Sequence, residues 1–127
     1  MKRCLLIGAG GIVGAWIRRF VAVHRDRLQI SAIVDIVPEV LREAGDFLDL
    51  PESERYGAMD DAFADAEADF CVVAVPPWHH REAILKAVER GLPVLSEKPI
   101  SDKLSEVTEI VQAVKKASVK MAVIQNY

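Results

Sequence analysis

The stretch Cys4-Leu5-Leu6-Ile7-Gly8-Ala9-Gly10-Gly11-Ile12-Val13-Gly14-Ala15-Trp16 decides the fold of this chain. A short apolar run meets a cluster of glycines, and a helical pattern of apolar residues follows at once. This order predicts a strand, a tight turn and a helix, the arrangement in which a G-x-G-x-x-G sequence binds the pyrophosphate of a dinucleotide. A glycine-rich turn that holds no ligand is the alternative interpretation.

The glycines of the turn have distinct mechanical roles. Gly8 lets the backbone turn sharply off the strand, and Gly10 lets the main chain approach a phosphate closely. The amides of Gly11 to Val13 open the helix, where free N–H groups and the helix dipole favour negative charge. Val13 stands at the position where a third glycine normally lets helix and strand pack closely, and Gly14 comes one residue later. The chain departs from the pattern at that position.

Length and composition narrow the class of protein. The 127 residues are 51% hydrophobic, which predicts one folded domain over residues 1–127. The net charge of −3 and the lack of a basic run argue against nucleic acid as a partner. No apolar run approaches the roughly 20 residues of a membrane span, and the first apolar run is too short for a signal peptide. We therefore expect a cytoplasmic protein without a metal site, in which Cys4 and Cys71 are buried and reduced.

Strand and helix patterns alternate along the whole chain. This alternation predicts an α/β fold, a three-layer doubly wound parallel sheet of the Rossmann type with about six strands and five helices. The predicted strands cover residues 5–7, 28–34, 55–56, 70–75, 93–96 and 120–124. The predicted helices cover 12–24, a segment that begins at Pro38, a brief segment capped by Asp60 or Asp61, 81–90 and 105–117.

Ligands of such sheets bind outside the carboxyl ends of the strands, and Asp35 ends the second predicted strand. An acidic residue there accepts hydrogen bonds from the ribose hydroxyls of the adenosine half, and its charge repels a 2′-phosphate. Neither Ile36 nor Val37 offers a group that binds phosphate. These residues favour NAD over NADP as the cofactor. Alternatively, Asp35 is a solvated cap of the helix that begins at Pro38.

The segment Pro76-Pro77-Trp78-His79-His80 follows the central strand, which ends at Val75. A proline pair that ends a buried strand forms a stiff wall, which we expect to border the nicotinamide half of the cofactor. His80 falls in the first turn of the next predicted helix. Alternatively, both histidines are exposed polar residues at the start of that helix.

The triplet Glu97-Lys98-Pro99 follows the carboxyl end of the fifth predicted strand. A lysine in a nicotinamide cleft can hydrogen-bond a substrate hydroxyl and stabilise the alkoxide-like charge that forms as hydride leaves. The alternative is a surface turn with a salt-bridging lysine. Gln125-Asn126-Tyr127 follow the last predicted strand and either face the same cleft or form a frayed tail.

The order GAGG, VD-x-x-PE, VAVPPWHH, GLPVLSEKPIS and QNY closely resembles the N-terminal domain of the Gfo/Idh/MocA oxidoreductases, over about residues 5–127. The resemblance implies an NAD(P)-dependent dehydrogenase of sugars, polyols or related compounds, with Lys98 as the catalytic residue beside the reacting hydroxyl. It also implies that Glu97 and Asn126 contact the cofactor and that Pro76 and His80 match a T-P-x-x-x-H element. Two positions depart from that element: valine at 75 where threonine is frequent, and proline at 77 where asparagine is frequent.

Family members resemble one another in having a second, substrate-binding domain, which this chain lacks. We therefore expect the cofactor half of an enzyme, which binds NAD without turnover and meets its sugar or polyol substrate only together with the second domain. The alternative is a free-standing dinucleotide-sensing or protein-binding module. The face left bare, near Trp78 and the proline wall, predicts a homodimer.

Overall fold

A computed structural model describes residues 1–125 of the chain, without the side chain of Ile12. Six parallel strands form one sheet in the order β3-β2-β1-β4-β5-β6, which confirms the doubly wound topology. The strands are β1 (Lys2–Ile7), β2 (Leu28–Val34), β3 (Arg55–Tyr56), β4 (Phe70–Val73), β5 (Val94–Ser96) and β6 (Met121–Val123). The helices are α1 (Gly11–Trp16), α2 (Pro38–Phe47), α3 (Met59–Asp65), α4 (His80–Glu89) and α5 (Leu104–Ala117), with 3-10 turns at Glu52–Glu54 and Pro77–His79.

Two hydrophobic cores, one on each face of the sheet, confirm the three layers. Alternate residues of a strand point to opposite faces, so Leu5 and Ile7 belong to one core and Cys4 and Leu6 to the other. The first core includes buried residues of α3, α4 and α5, and the second includes those of α1 and α2. β1 is buried on both faces, as expected of the central strand of a parallel sheet.

The first helix differs from its predicted course. The α-helical turns end at Trp16, and a π-helical segment, Ile17–Val21, follows, in which the amide of Ala22 donates to the carbonyl of Ile17 over 3.2 Å. A π turn holds more residues than an α turn, so the apolar period slips by one position. Phe20 lies three positions after the buried Ile17 and four after Trp16, a spacing that predicts one shared face in an α-helix, yet it is 57% exposed.

Other element boundaries shift by a few residues. β4 ends at Val73, two residues before the predicted end. Asp60 and Asp61 do not cap α3, because the helix begins at Met59 and both aspartates lie in its first turn. On α5, Val111 is 39% exposed, although its spacing predicts an inward position beside Ile110. None of these shifts changes the order of the strands.

The two cysteines lie on neighbouring central strands, as predicted. In the β1–β4 pair, Leu5 is opposite Cys71 and Cys4 is opposite Phe70. Both thiols are buried and unpaired. Burial raises the pKa of the Cys4 thiol to about 12, and it raises the pKa of the Cys71 thiol well above its ordinary value. In the described part of the chain, no helix has both the length and the apolar character needed to cross a membrane.

Candidate cofactor site at the carboxyl edge of the sheet

A cavity of about 590 Å³ lies at the carboxyl ends of β1, β2, β4 and β5. Its volume falls within the range of small-molecule sites. The cavity brings together four of the predicted site segments: the glycine turn, Asp35, the segment that begins at Val75, and Glu97–Lys98. Its lining comprises Gly8, Gly10, Gly11, Val13, Val34, Asp35, Ile36, Met59, Ala74, Val75, Pro76, Trp78, His79, Glu97 and Lys98.

Gly8 fixes the sharp exit of the chain from β1. Its φ of +93° lies in the region that favours glycine. A Cβ atom there would stand 2.6 Å from the carbonyl oxygen of Ala74, at the end of β4. The Gly8 amide donates to the carbonyl of Val34 over 2.8 Å, which ties the turn to β2 as well. The turn therefore sits tightly between the two strands that flank β1.

Of the two glycines after Ala9, Gly11 leaves open space at the start of α1, whereas a Cβ atom on Gly10 would lie 3.4 Å from Cγ1 of Val40. Gly11 has a φ of +54°, and a Cβ atom built on it would meet nothing within 4 Å. Val13, at the position of the usual third glycine, is 2% exposed and packs in the second core. The helix and strand thus accommodate a valine there. Gly14 packs against the Ala9 carbonyl, which a Cβ atom would approach to 3.5 Å.

The carboxylate of Asp35 holds two backbone turns together. Its Oδ2 accepts a hydrogen bond from the amide of Ala9 over 3.0 Å, and its Oδ1 accepts one from the amide of Val37 over 2.9 Å. An ionised carboxylate has about four acceptor positions, so each oxygen can accept a further bond from a ligand. The side chain is half-buried and lines the cavity. Its position is therefore compatible both with binding a ligand and with capping the helix that begins at Pro38.

The segment after β4 forms one wall of the cavity. Val75, Pro76, Trp78 and His79 line it, and the indole of Trp78 is 64% exposed with its ring centroid 6.2 Å from that of His79. The aromatic pair therefore stands at the open side of the cavity.

His80 does not line this cavity. Its side chain is 1% exposed. Its Nδ1 lies 2.7 Å from the carbonyl oxygen of Pro99, and its Nε2 lies 2.8 Å from that of Val75. The structure thus places His80 behind the wall, where its ring bridges two loops. This placement also excludes the interpretation of His80 as an exposed polar residue.

Glu97 and Lys98 lie across the cavity from the glycine turn, after β5. The Glu97 amide donates to the Val73 carbonyl over 2.8 Å, and Glu97 Oε2 accepts from the Lys98 amide over 3.0 Å. Glu97 Oε1 is buried, and no residue within 1–125 hydrogen-bonds to it. Lys98 is exposed, and among the described residues its ammonium has no ion-pair partner, unlike the salt-bridging lysine of the alternative interpretation.

The sequence did not single out every residue of the site. Met59 at the start of α3 lines the cavity, although it belongs to no recognisable motif. His79, in the predicted wall segment, lines the cavity and is exposed. Ile36, which carries no phosphate-binding group, is 81% exposed beside Asp35. The predicted contact of Asn126 lies outside the described residues.

Comparison with known proteins agrees with this geometry. The family described as "Oxidoreductase family, NAD-binding Rossmann fold" matches residues 2–125 of the chain. Inositol 2-dehydrogenase of Corynebacterium glutamicum is 30% identical to it over 127 residues, which cover 92% of this chain and 36% of that enzyme. The chain spans about a third of the length of the curated relatives it matches.

Solved structures superpose on nearly the whole chain. The WlbA dehydrogenase from Bordetella pertussis, in complex with NADH and UDP-GlcNAcA, gives a TM-score of 0.87 at 28% identity and covers 97% of this chain and 37% of that one. An oxidoreductase from Agrobacterium radiobacter, in complex with NAD⁺, L-tartaric acid and magnesium, gives 0.86 at 27% identity, with 99% and 36% covered. The glycine turn, the strand order and these matches together place the chain in the Gfo/Idh/MocA oxidoreductase family, as its NAD-binding Rossmann domain.

Proposed function

We propose that the chain is the cofactor half of an enzyme that transfers hydride between NAD and a hydroxyl-bearing carbon of a sugar, polyol or related compound. The observation that carries the proposal is the cavity in which the glycine turn, Asp35 and Lys98 meet. The relatives support the substrate class, since their names and ligands include inositol, a UDP-sugar and tartaric acid.

The residues of the cavity fit a dinucleotide. The open space over Gly11 leaves room for a pyrophosphate beside the first amides of α1. Asp35, at the end of β2, would bind the adenosine ribose. Glu97 Oε1, a buried acceptor that lacks a donor within the described residues, matches a ribose hydroxyl of the nicotinamide half. The two carboxylates thus stand at the two ends of the proposed ligand.

Lys98 would act on the substrate. NAD supplies the hydride acceptor when it is bound. The exposed ammonium of Lys98 lies at the cavity and is free to donate a hydrogen bond to the reacting hydroxyl. A fixed positive charge beside an oxygen stabilises the negative charge that develops on it in the transition state. Lys98 is therefore our candidate for the catalytic residue.

The rest of the active site would belong to a second domain. The chain covers 36% of the inositol 2-dehydrogenase it resembles, so most of that enzyme has no counterpart here. We propose that such a domain provides the substrate contacts and the base that takes the hydroxyl proton as hydride passes from the same carbon to NAD, and that residues 1–127 alone bind NAD without turnover. We also propose a cytoplasmic location, which the two unpaired, buried cysteines support.

A titration with NAD and NADP tests the cofactor assignment. We expect calorimetry to show about tenfold to a hundredfold tighter binding of NAD, because a hydrogen bond to a charged group contributes roughly 1.5–3 kcal/mol. Asp35→Asn removes the charge and should bring the two affinities together. Asp26→Asn is the matched control, since Asp26 is an exposed aspartate outside the cavity. A preference for NADP, or an unchanged NAD/NADP ratio in Asp35→Asn, would contradict the assignment.

A further inference from the structure

The main chain at Lys98 is held on both sides, and both attachments lead to the end of β4. On the amino side, the amide of Glu97 donates to the carbonyl of Val73 over 2.8 Å. On the carboxyl side, the carbonyl of Pro99 lies 2.7 Å from His80 Nδ1, and the other ring nitrogen lies 2.8 Å from the carbonyl of Val75. Lys98 itself is exposed, and its side chain forms no such attachment to any of residues 1–125.

Of these two attachments, the one on the carboxyl side depends on a side chain, the imidazole of His80. The ring is 1% exposed, so water does not compete for its nitrogens. Both partners are carbonyl oxygens, which only accept hydrogen bonds. A ring nitrogen that carries hydrogen donates to the carbonyl oxygen beside it. Both observed distances are those of good hydrogen bonds.

The position of His80 at the start of α4 explains how it reaches both loops. The proline pair and the 3-10 turn Pro77–His79 lead the chain from the cavity wall into the helix. His80 follows directly as the first residue of α4 and points back into the protein. It thereby connects the wall that begins at Val75 with the loop that carries Lys98.

We propose that His80 is a positioning residue, whose ring bridges the carbonyls of Val75 and Pro99 and so holds the Lys98 loop at a fixed place relative to the end of β4. That Lys98 is the group in need of positioning rests on the proposed function. The structural part of the inference concerns the protein without cofactor and can be tested in that state.

The experiment compares amide hydrogen exchange in the 127-residue chain and in His80→Phe, by NMR and without cofactor. The reporters are the amides of Glu97 and Lys98, and the reference is the Ala74 amide, which donates to the carbonyl of Ile7 in the neighbouring β1–β4 ladder over 2.9 Å. We expect exchange at Lys98 to accelerate about tenfold or more relative to Ala74, because the loop loses its local attachment. His80→Gln keeps one donor and should give a smaller acceleration.

The matched control is His24→Phe, at an exposed histidine in the turn after the π-helical segment. It should leave the Lys98-to-Ala74 ratio unchanged. Equal acceleration at Glu97, Lys98 and Ala74 in His80→Phe would show that His80 only fills space in the core, and would overturn the inference.

Failure of the wild-type chain to bind NAD would instead contradict the proposed function, and it would leave the exchange result unaffected.

Discussion

Single residues determine how closely neighbouring backbone segments approach one another at the carboxyl edge of the sheet. The need for glycine at position 8 was predictable from the sequence, because a strand that turns directly into a helix demands an unusual backbone conformation. The sequence could not predict which atom lies beside Gly8. The atom nearest to a Cβ on Gly8 is the carbonyl oxygen of Ala74, which is distant along the chain. The same limit applies to Asp35, whose bonds to Ala9 and Val37 depend on the folded geometry.

Gly8→Ala should destabilise the fold strongly. The new methyl group would stand 2.6 Å from backbone, and alanine at a φ of +93° is strained. We expect the free energy of unfolding to fall by about 2 kcal/mol or more, measured by urea denaturation. Gly57→Ala is the matched control, since a Cβ there meets nothing within 4 Å, and it should change stability by about 0.5 kcal/mol at most. Equal effects of both substitutions would contradict the close approach.

Lys98→Ala tests the catalytic proposal in the whole protein. Turnover should fall by roughly two to four orders of magnitude, because the variant loses the donor that stabilises the charge developing on the reacting oxygen. NAD affinity should change little, because the proposed pyrophosphate and adenosine contacts lie at the glycine turn and Asp35. Lys116→Ala, at an exposed lysine of α5, is the control. A Lys98→Ala variant that loses cofactor binding instead would assign Lys98 a structural role.

At the scale of elements, the apolar strands were predicted well and the first helix was not. β1 and β4 are nearly continuous apolar runs, which is typical of strands buried on both faces. The π-helical segment Ile17–Val21 could not be predicted, because its residues fit the apolar spacing of an ordinary α-helix. Only the exposure of Phe20 reveals the slipped period.

The buried thiols of β1 and β4 make stability depend on alkaline pH. The pKa of Cys4 is raised from 9.0 to about 12 on folding. The folded chain therefore keeps protons that the unfolded chain loses, and the stabilisation present below pH 9 is lost as pH rises toward 12. Near pH 10 the loss that comes from Cys4 should be about 1.4 kcal/mol, and the raised pKa of Cys71 adds a loss of the same sign.

Urea denaturation of the wild-type chain and of the Cys4→Ala/Cys71→Ala double variant at neutral and alkaline pH measures this effect. The control is the pH dependence of the free energy of unfolding in the double variant, which contains the contributions of the lysines and tyrosines without those of the thiols. We expect a steeper loss of stability above pH 9 in the wild-type chain. Identical slopes would show that the thiols titrate alike in the folded and unfolded chains.

At the scale of the whole molecule, the topology followed from the alternation of strands and helices, and the site followed from the rule that ligands bind at the carboxyl edge. The bridging role of His80 did not follow, because its ring contacts the carbonyl of Pro99, 19 positions further along the chain. The alternation of strands and helices likewise does not predict the oligomeric state. β6 is an edge strand whose outer side pairs with no strand of the described residues.

We propose that the isolated chain forms a concentration-dependent dimer through its carboxyl-edge face. Exposed apolar surface at Trp78 and the free edge of β6 support this, since both favour association with a second copy. Sedimentation at several concentrations should show the dimer, and Trp78→Ser should weaken it, whereas Phe20→Ser, at an exposed aromatic on another surface, should not. A strict monomer at high concentration, or a dimer through the amino-edge cavity near Arg25 and Asp49, would contradict the choice of face.

The measurement that tests the account most directly is a crystal structure of the chain with NAD. We expect the pyrophosphate against the amides at the start of α1, the adenosine ribose within hydrogen-bond distance of Asp35, and the nicotinamide half beside Glu97 and Lys98. A donor from the ligand should then reach Glu97 Oε1. NAD bound at another surface, or bound with the nicotinamide half beside Asp35, would contradict the account.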